Sequence, residues 1–128
     1  MIVRDYMSYP PVTINRDDTD HTALRLMEDY AIQHIPVVSS DGQLVGILEK
    51  QDLLLTASRY LLAEVDIEEV MRRNVITATL DMPLIQAATL MLTYRVGCLP
   101  VVDSSQQVVG VLTDSDLHRV LVEVVSAL

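Results

Sequence analysis

The residues best suited to chemistry lie in the stretch Gly110-Val111-Leu112-Thr113-Asp114-Ser115-Asp116-Leu117. An apolar run ends there, a hydroxyl appears, and a carboxylate follows three residues later. Two readings fit. In one, Thr113 or Asp114 caps a helix and Asp116 sits in its first turn, where negative charge complements the helix dipole. In the other, the ionised carboxylate accepts hydrogen bonds from both hydroxyls of a ribose diol, while the threonine hydroxyl and free N–H groups at the helix start hold a phosphate. Arg72, Arg73 and Arg95 are the cations available for such a phosphate, although arginines in an acidic chain equally pair with neighbouring carboxylates. Arg95 is the best placed of them, because it just precedes Gly97-Cys98-Leu99-Pro100.

Other reactive residue types carry less. His21, His34 and His118 are scattered without ligand spacing, so no metal site is expected. Cys98 is the sole cysteine and is flanked by apolar residues, which reads as a small core side chain. A reactive thiol would need an electropositive, partly exposed setting. No nucleophile–base pair, phosphate-binding P-loop or dinucleotide fingerprint occurs, so no catalytic residue is expected and the chain is not expected to be an enzyme.

The elements that must position these residues follow from an internal repeat. Val3 to Leu53 overlays Ile67 to Leu117 without a gap, at a constant offset of 64 residues that takes Met7 to Met71. A third of the aligned positions are identical, among them Thr13/Thr77, Met27/Met91, Pro36/Pro100, Gly46/Gly110 and Asp52/Asp116. Each repeat reads as a short strand (Pro11 to Ile14, or Val75 to Ala78), a helix, two apolar strands joined by a polar turn, and a closing helix near 51–62 or 115–127. In the first helix, Ala23, Leu26, Met27, Tyr30 and Ala31 fall at the spacing of one buried face. Pro83 stands where a helix accepts a first-turn proline. The equivalent methionines Met7, Met27, Met71 and Met91 read as core. A sheet of so few strands cannot bury itself alone, so two βαββα-type units are expected to pack sheet to sheet in an α+β fold. The predicted division is residues 1–62, a linker over 63–66, and residues 67–128.

Composition bounds the function. Of 128 residues, half are hydrophobic, with no Trp or Phe, so the core is built from aliphatic side chains and disorder is excluded. The formal charge of −9 argues against nucleic acid as a partner. No apolar run approaches the roughly 18 residues of a membrane span, and the start Met1-Ile2-Val3-Arg4-Asp5 is not a signal peptide. With one cysteine no internal disulfide forms, which fits a reducing, cytoplasmic location. The apolar run Val120-Leu121-Val122-Glu123-Val124-Val125 points to a buried interface.

The paired repeats resemble a tandem of CBS domains, a Bateman module. The resemblance is carried by Val3 to Met7 and Ile67 to Met71, by His34-Ile35-Pro36-Val37-Val38 and Cys98-Leu99-Pro100-Val101-Val102, and by the Gly110-x-x-Thr113-x-x-Asp116 pattern. It implies a pseudo-two-fold arrangement, clefts that bind AMP, ADP, ATP, S-adenosylmethionine or related adenosyl compounds, and association into a homodimer. No cofactor is required. The family's ribose and phosphate contacts carry over onto Asp116 and Thr113, its first-strand contacts onto Ile76 and Thr77, and its adenine and ribose contacts onto Gly97, Cys98, Leu99 and Pro100. A second, weaker site would use Thr13, Ile35, Pro36 and Asp52. There Glu49 replaces the hydroxyl residue and Lys50 stands opposite Asp114, so one competent site is expected, from the second repeat. The implied function is a regulatory adenosyl sensor acting in trans through a dimer or a protein partner. The alternative is a constitutive dimerisation module with no ligand.

Overall fold

The aliphatic periodicity of each repeat produces the same run of elements twice. The computed structural model describes residues 1–60 and 64–128. After a 3₁₀ turn at Val3–Asp5, the first set comprises strand β1 (Ile14–Asn15), helix α1 (Asp20–Tyr30), strands β2 (His34–Val38) and β3 (Leu44–Glu49), and helix α2 (Lys50–Tyr60). Helix α3 (Ile67–Val70) opens the second set, followed by α4 (Leu84–Tyr94), β4 (Cys98–Val102), β5 (Val108–Thr113) and α5 (Asp114–Ser126). The expected end of the second helix at 61–62 and the linker residue Ala63 lie outside the described residues.

In each set an antiparallel hairpin forms the sheet: β2 with β3 and β4 with β5, both with a register shift just before the polar turn. β1 adds a parallel edge to β2, with Ile14 opposite Val37. The expected strand Val75 to Ala78 shrinks to one parallel bridge, Ala78 to Val101. The Ala78 N–H donates to the Pro100 carbonyl and the Val102 N–H donates to the Ala78 carbonyl, both at 3.0 Å. Apolar side chains there pack inward without extending the ladder.

The amphipathic helices bury a shorter face than the spacing predicts. Ala23 and Met27 are fully buried, but Tyr30 is 59 % exposed, as its counterpart Tyr94 is 55 %. The reason is the helix end. Ala31 and Arg95 take left-handed backbone (φ 54° and 55°), and the chain folds back so that the N–H of Ile32 or Val96 reaches the carbonyl of Met27 or Met91. Pro83 precedes α4 as its cap and is not its first helical residue.

The folded bodies are cut differently from the sequence repeats. One compact unit is Val12–Val75, and the other joins Met1–Pro11 to Ile76–Leu128. Each repeat's leading segment therefore packs in the unit that holds the other repeat's helices and hairpin. In the first unit, the N–H of Val65 donates to the buried carboxylate of Asp20 at 3.1 Å, and Asp20 N–H returns a bond to Val65. In the second, Val3 and Arg4 N–H groups donate to the carbonyls of Met82 and Leu80.

Further along, each segment lies against the middle of a hairpin strand. Ser8 and Val111 exchange backbone hydrogen bonds, as do Arg72 and Ile47. The fit requires glycine: a Cβ on Gly110 would meet Met7 Sδ at 2.4 Å, and one on Gly46 would meet Met71 Sδ at 2.6 Å. The methionine and glycine identities of the repeat are thus two halves of one contact, made once in each unit.

Candidate functional site

The pairing Cys98 opposite Thr113 brings the start of β4 and the end of β5 to one corner, where α5 begins. The Asp114 N–H donates to the Gly97 carbonyl at 3.1 Å and ties the helix start to the residue before β4. Thr113, in extended backbone, is the helix cap, and a reciprocal capping box forms. Asp116 Oδ2 accepts the Thr113 N–H at 2.8 Å and the Thr113 hydroxyl at 3.1 Å. The Asp116 N–H donates back to Thr113 Oγ1 at 3.4 Å. Asp116 is only 2 % exposed. Its Oδ1 accepts the Ser8 hydroxyl at 3.4 Å and the Arg119 guanidinium.

Capping is therefore a realised role of Thr113 and Asp116. A diol approaching this carboxylate would compete for Oδ1, where the partners are a long hydroxyl contact and an exposed arginine. Oδ2 is held by the backbone.

The other expected positions divide. Gly97 and Cys98 meet Thr113 and Asp114 at the corner. Ile76 and Thr77 lead into the Ala78 bridge beside Pro100 and Val101, and Ile76 joins the core. Cys98, Leu99 and Pro100 are buried, so backbone is what they can offer a ligand. Arg95 is exposed and has no carboxylate partner among the described residues. Among the described residues no hydrogen bond or ion pair ties its side chain to the corner. Ser8 and Arg119 escaped the sequence reading. The signal for Arg119 was its position three residues after Asp116 on one helix face.

The same corner recurs in the first unit. His34 pairs with Glu49, and the Lys50 N–H donates to the Gln33 carbonyl at 2.9 Å. Thr13 stands just before β1, Ile35 and Pro36 are buried in β2, and Asp52 lies in the first turn of α2. Here Arg72 takes the place that Ser8 has in the other unit. Its Nε donates to Asp52 Oδ2 at 3.0 Å, its Nη2 to Asp52 Oδ1 at 3.4 Å, and Nη2 also lies 3.3 Å from Glu49 Oε2. The bond to Asp52 and the charge of Glu49 hold Arg72 above the usual arginine range.

Of the two roles weighed for Arg72, pairing with carboxylates is the one realised, and the carboxylates belong to the first repeat. The leading segments are exchanged, so this cation neutralises Glu49 and Asp52 of the first repeat. Arg73 is likewise drawn to Glu68, through its backbone carbonyl and carboxylate.

The family model of the CBS domain matches residues 3–58 and 67–123, and the chain belongs to the CBS domain family. A CBS domain-containing protein of Dictyostelium discoideum is 33 % identical, with 97 % of this chain and 93 % of that protein covered. The L-aspartate semialdehyde sulfurtransferase of Methanocaldococcus jannaschii is 36 % identical over 92 % of this chain, but the match is only 23 % of that enzyme. The homoserine O-acetyltransferase of Methanohalobium evestigatum matches over 24 % of its length. The chain thus spans about a quarter of these two relatives. Among solved structures, a CBS domain pair in complex with 5′-methylthioadenosine and S-adenosyl-L-methionine has a TM-score of 0.88 and 35 % identity, with 94 % of this chain and 95 % of that one covered. An acetoin utilization protein from Vibrio cholerae has a TM-score of 0.91 and 33 % identity, covering 99 % and 96 %. Among the described residues no helix is long and apolar enough to cross a membrane.

Proposed function

We propose that this CBS pair, formed by the repeats 1–62 and 67–128, is a regulatory module that binds an adenosyl compound at the Thr113–Asp116 corner. The observation that carries the reading is the rigid carboxylate of Asp116, fixed by its capping box with Oδ1 turned to displaceable partners. The 35 % identical pair solved with two adenosyl compounds supports the ligand class. S-adenosylmethionine and 5′-methylthioadenosine lead the candidates, followed by AMP, ADP and ATP. The role is regulatory and not catalytic, because the same module accompanies two unlike enzymes and makes up nearly all of the Dictyostelium protein. Its setting is the cytoplasm.

Thermal unfolding in the presence of each adenosyl compound tests the reading. A compound at a hundred times its Kd stabilises the folded state by about 2.7 kcal/mol. The rise is expected to vanish in Asp116→Asn, which keeps an acceptor for the Thr113 N–H and so keeps the cap. No rise with any compound would sink the sensor.

A second reading, constitutive dimerisation without ligand, draws on the guanidinium that already faces each motif carboxylate. The module acts in trans, through a homodimer or a protein partner. Helix α4 carries no charged residue, and Ile85 and Leu92 are 77 % and 81 % exposed. Their counterparts on α1 are His21 and Glu28. Leu121, Val122 and Val125 on α5 are exposed as well. In an acidic chain the uncharged helix α4 is a surface that a second copy can cover without burying carboxylates. Sedimentation is expected to show a dimer for the native chain and a monomer for Leu92→Glu. An unchanged dimer would remove α4 from the interface.

A further inference from the structure

The two units build the same corner with one decisive difference. Where the leading segment crosses the motif carboxylate, one unit presents the hydroxyl of Ser8 and the other the guanidinium of Arg72. Ser8 touches one oxygen of Asp116 at long range. Arg72 reaches both oxygens of Asp52 and one of Glu49. Those carboxylates are sheltered, with side chains 27 % and 25 % exposed. The arginine is anchored as well, because its own N–H and carbonyl are bonded to Ile47.

We propose that Arg72 is a built-in occupant of the first-repeat corner, and that it sets the number of adenosyl ligands per chain at one. The inference rests on the ribose-diol role proposed for the motif carboxylates. A diol at Asp52 would have to displace the guanidinium from whichever oxygen it approached, because both are held. A neutral diol replaces bonds between two charged groups with bonds in which only the acceptor is charged, and it leaves Arg72 facing only Glu49, so it loses the exchange. Glu49 completes the closure, since it stands where Thr113 offers a hydroxyl and instead presents a second anion that keeps Arg72 in place.

Arg119 does not do the same to Asp116. Its side chain is 67 % exposed and that of Arg72 57 %, so the difference lies in the contacts: Arg119 meets a single oxygen of one carboxylate, and Arg72 meets three oxygens of two. Rotation of that side chain frees Oδ1 without breaking the capping box. The second-repeat corner is therefore open to a diol and the first-repeat corner is shut, although both keep the aspartate. The distinction lies in which residue the exchanged segment delivers.

Calorimetric titration with 5′-methylthioadenosine, which carries the diol and no phosphate, decides the matter. The native chain is expected to bind one equivalent. The Arg72→Ser/Glu49→Thr variant, which copies the Ser8 and Thr113 arrangement into the first unit, is expected to bind two. Arg72→Gln, which keeps the stem and most of its packing, is the second variant and is expected to show the added equivalent at weaker affinity. Two equivalents on the native chain, or one on both folded variants, would overturn the proposal. If the native chain binds none and the variants bind one, the closure by Arg72 stands while the assignment of the Thr113–Asp116 corner fails. Absence of binding throughout would overturn both.

Discussion

Replacing Asp116 by alanine is expected to destabilise the protein by about 2–4 kcal/mol, a fall in midpoint of roughly 10 °C for a chain of this size. The magnitude follows from what the side chain holds. Loss of the capping box alone costs about 1 kcal/mol. The Thr113 N–H is then left without its 2.8 Å acceptor in a part-buried corner, and an unsatisfied donor there adds about 1–3 kcal/mol. Ser8 and Arg119 lose a partner too, but both reach solvent, so they add little. Urea unfolding measures the loss as a shift in midpoint at constant slope. Asp116→Asn should recover most of it, because the amide oxygen still accepts the Thr113 N–H. Asp52→Ala, which removes a partly exposed partner of Arg72, should cost only about 1 kcal/mol. Equal losses at Asp116 and Asp52 would show that the capping box is not the source of the effect. The contrast also warns against reading lost ligand affinity in Asp116→Ala as lost recognition, since the corner itself is loosened.

The second large effect is expected at Gly110. A valine there is predicted to cost about 3 kcal/mol, the upper range for overpacking a filled site. Its Cβ would stand 2.4 Å from Met7 Sδ, 3.1 Å from Met7 Cε and 3.1 Å from the Ser8 carbonyl oxygen. The methionine is flexible and can move. The carbonyl cannot, because it accepts the Val111 N–H at 3.0 Å. The leading segment must therefore lift, taking Ser8 away from Asp116. Gly110→Ala combined with Met7→Ala separates the two sources: relief of the sulfur clash should return part of the stability lost in Gly110→Ala alone. Thermal melts of the four proteins give the coupling. If the methionine substitution adds its full cost on top, the clash is not where the geometry places it.

Much of this fold was legible because the repeat runs without a gap. Helix α5 and the start of α2 fall within a residue of their expected bounds, and α1, α4 and the two hairpins form where their apolar faces and polar turns place them, since those signals speak locally. Val75 to Ala78 failed as a strand because its composition reports burial, and burial there is achieved with a single bridge. Tyr30 and Tyr94 failed as core because periodicity does not reveal where a left-handed residue ends the helix. The structure brings Thr113, Asp116, Gly97 and Cys98 of the expected ligand positions to one corner, and Ser8 was not anticipated there for a more basic reason. In a chain of two like repeats, Met7 fits Gly46 and Gly110 equally well on paper, so no pattern tells which hairpin a leading segment joins. The charges supply a physical answer. Arg4 pairs with Asp81 at 2.7 Å in one unit, and Glu68 pairs with Arg16 in the other, with polarity reversed. The bond from Arg16 also holds the Glu68 carboxyl below its ordinary range. Docked the other way, Arg4 would face Arg16 and Glu68 would face Asp81. Each exposed pair is weak alone, but the mismatched arrangement would bring two repulsions where the observed one has two attractions.

The exchanged segments also set an order of events during synthesis and folding. The Val12–Val75 unit closes over sequence separations of 45 residues between Val65 and Asp20 and 20 between Arg72 and Asp52. The other unit must join Ser8 to Asp116 across 108 residues. Relative to the 20-residue closure, that span in a fully unfolded chain carries about 1.5 kcal/mol more loop entropy, and non-local closure of this kind slows folding. On the ribosome the inner unit has all its residues once position 75 has emerged. Residues 1–11 can reach their observed partners only after β4, β5 and helix α5 are made. The corner that carries Asp116 is accordingly assembled after the inner unit, from segments that lie on either side of it in the chain.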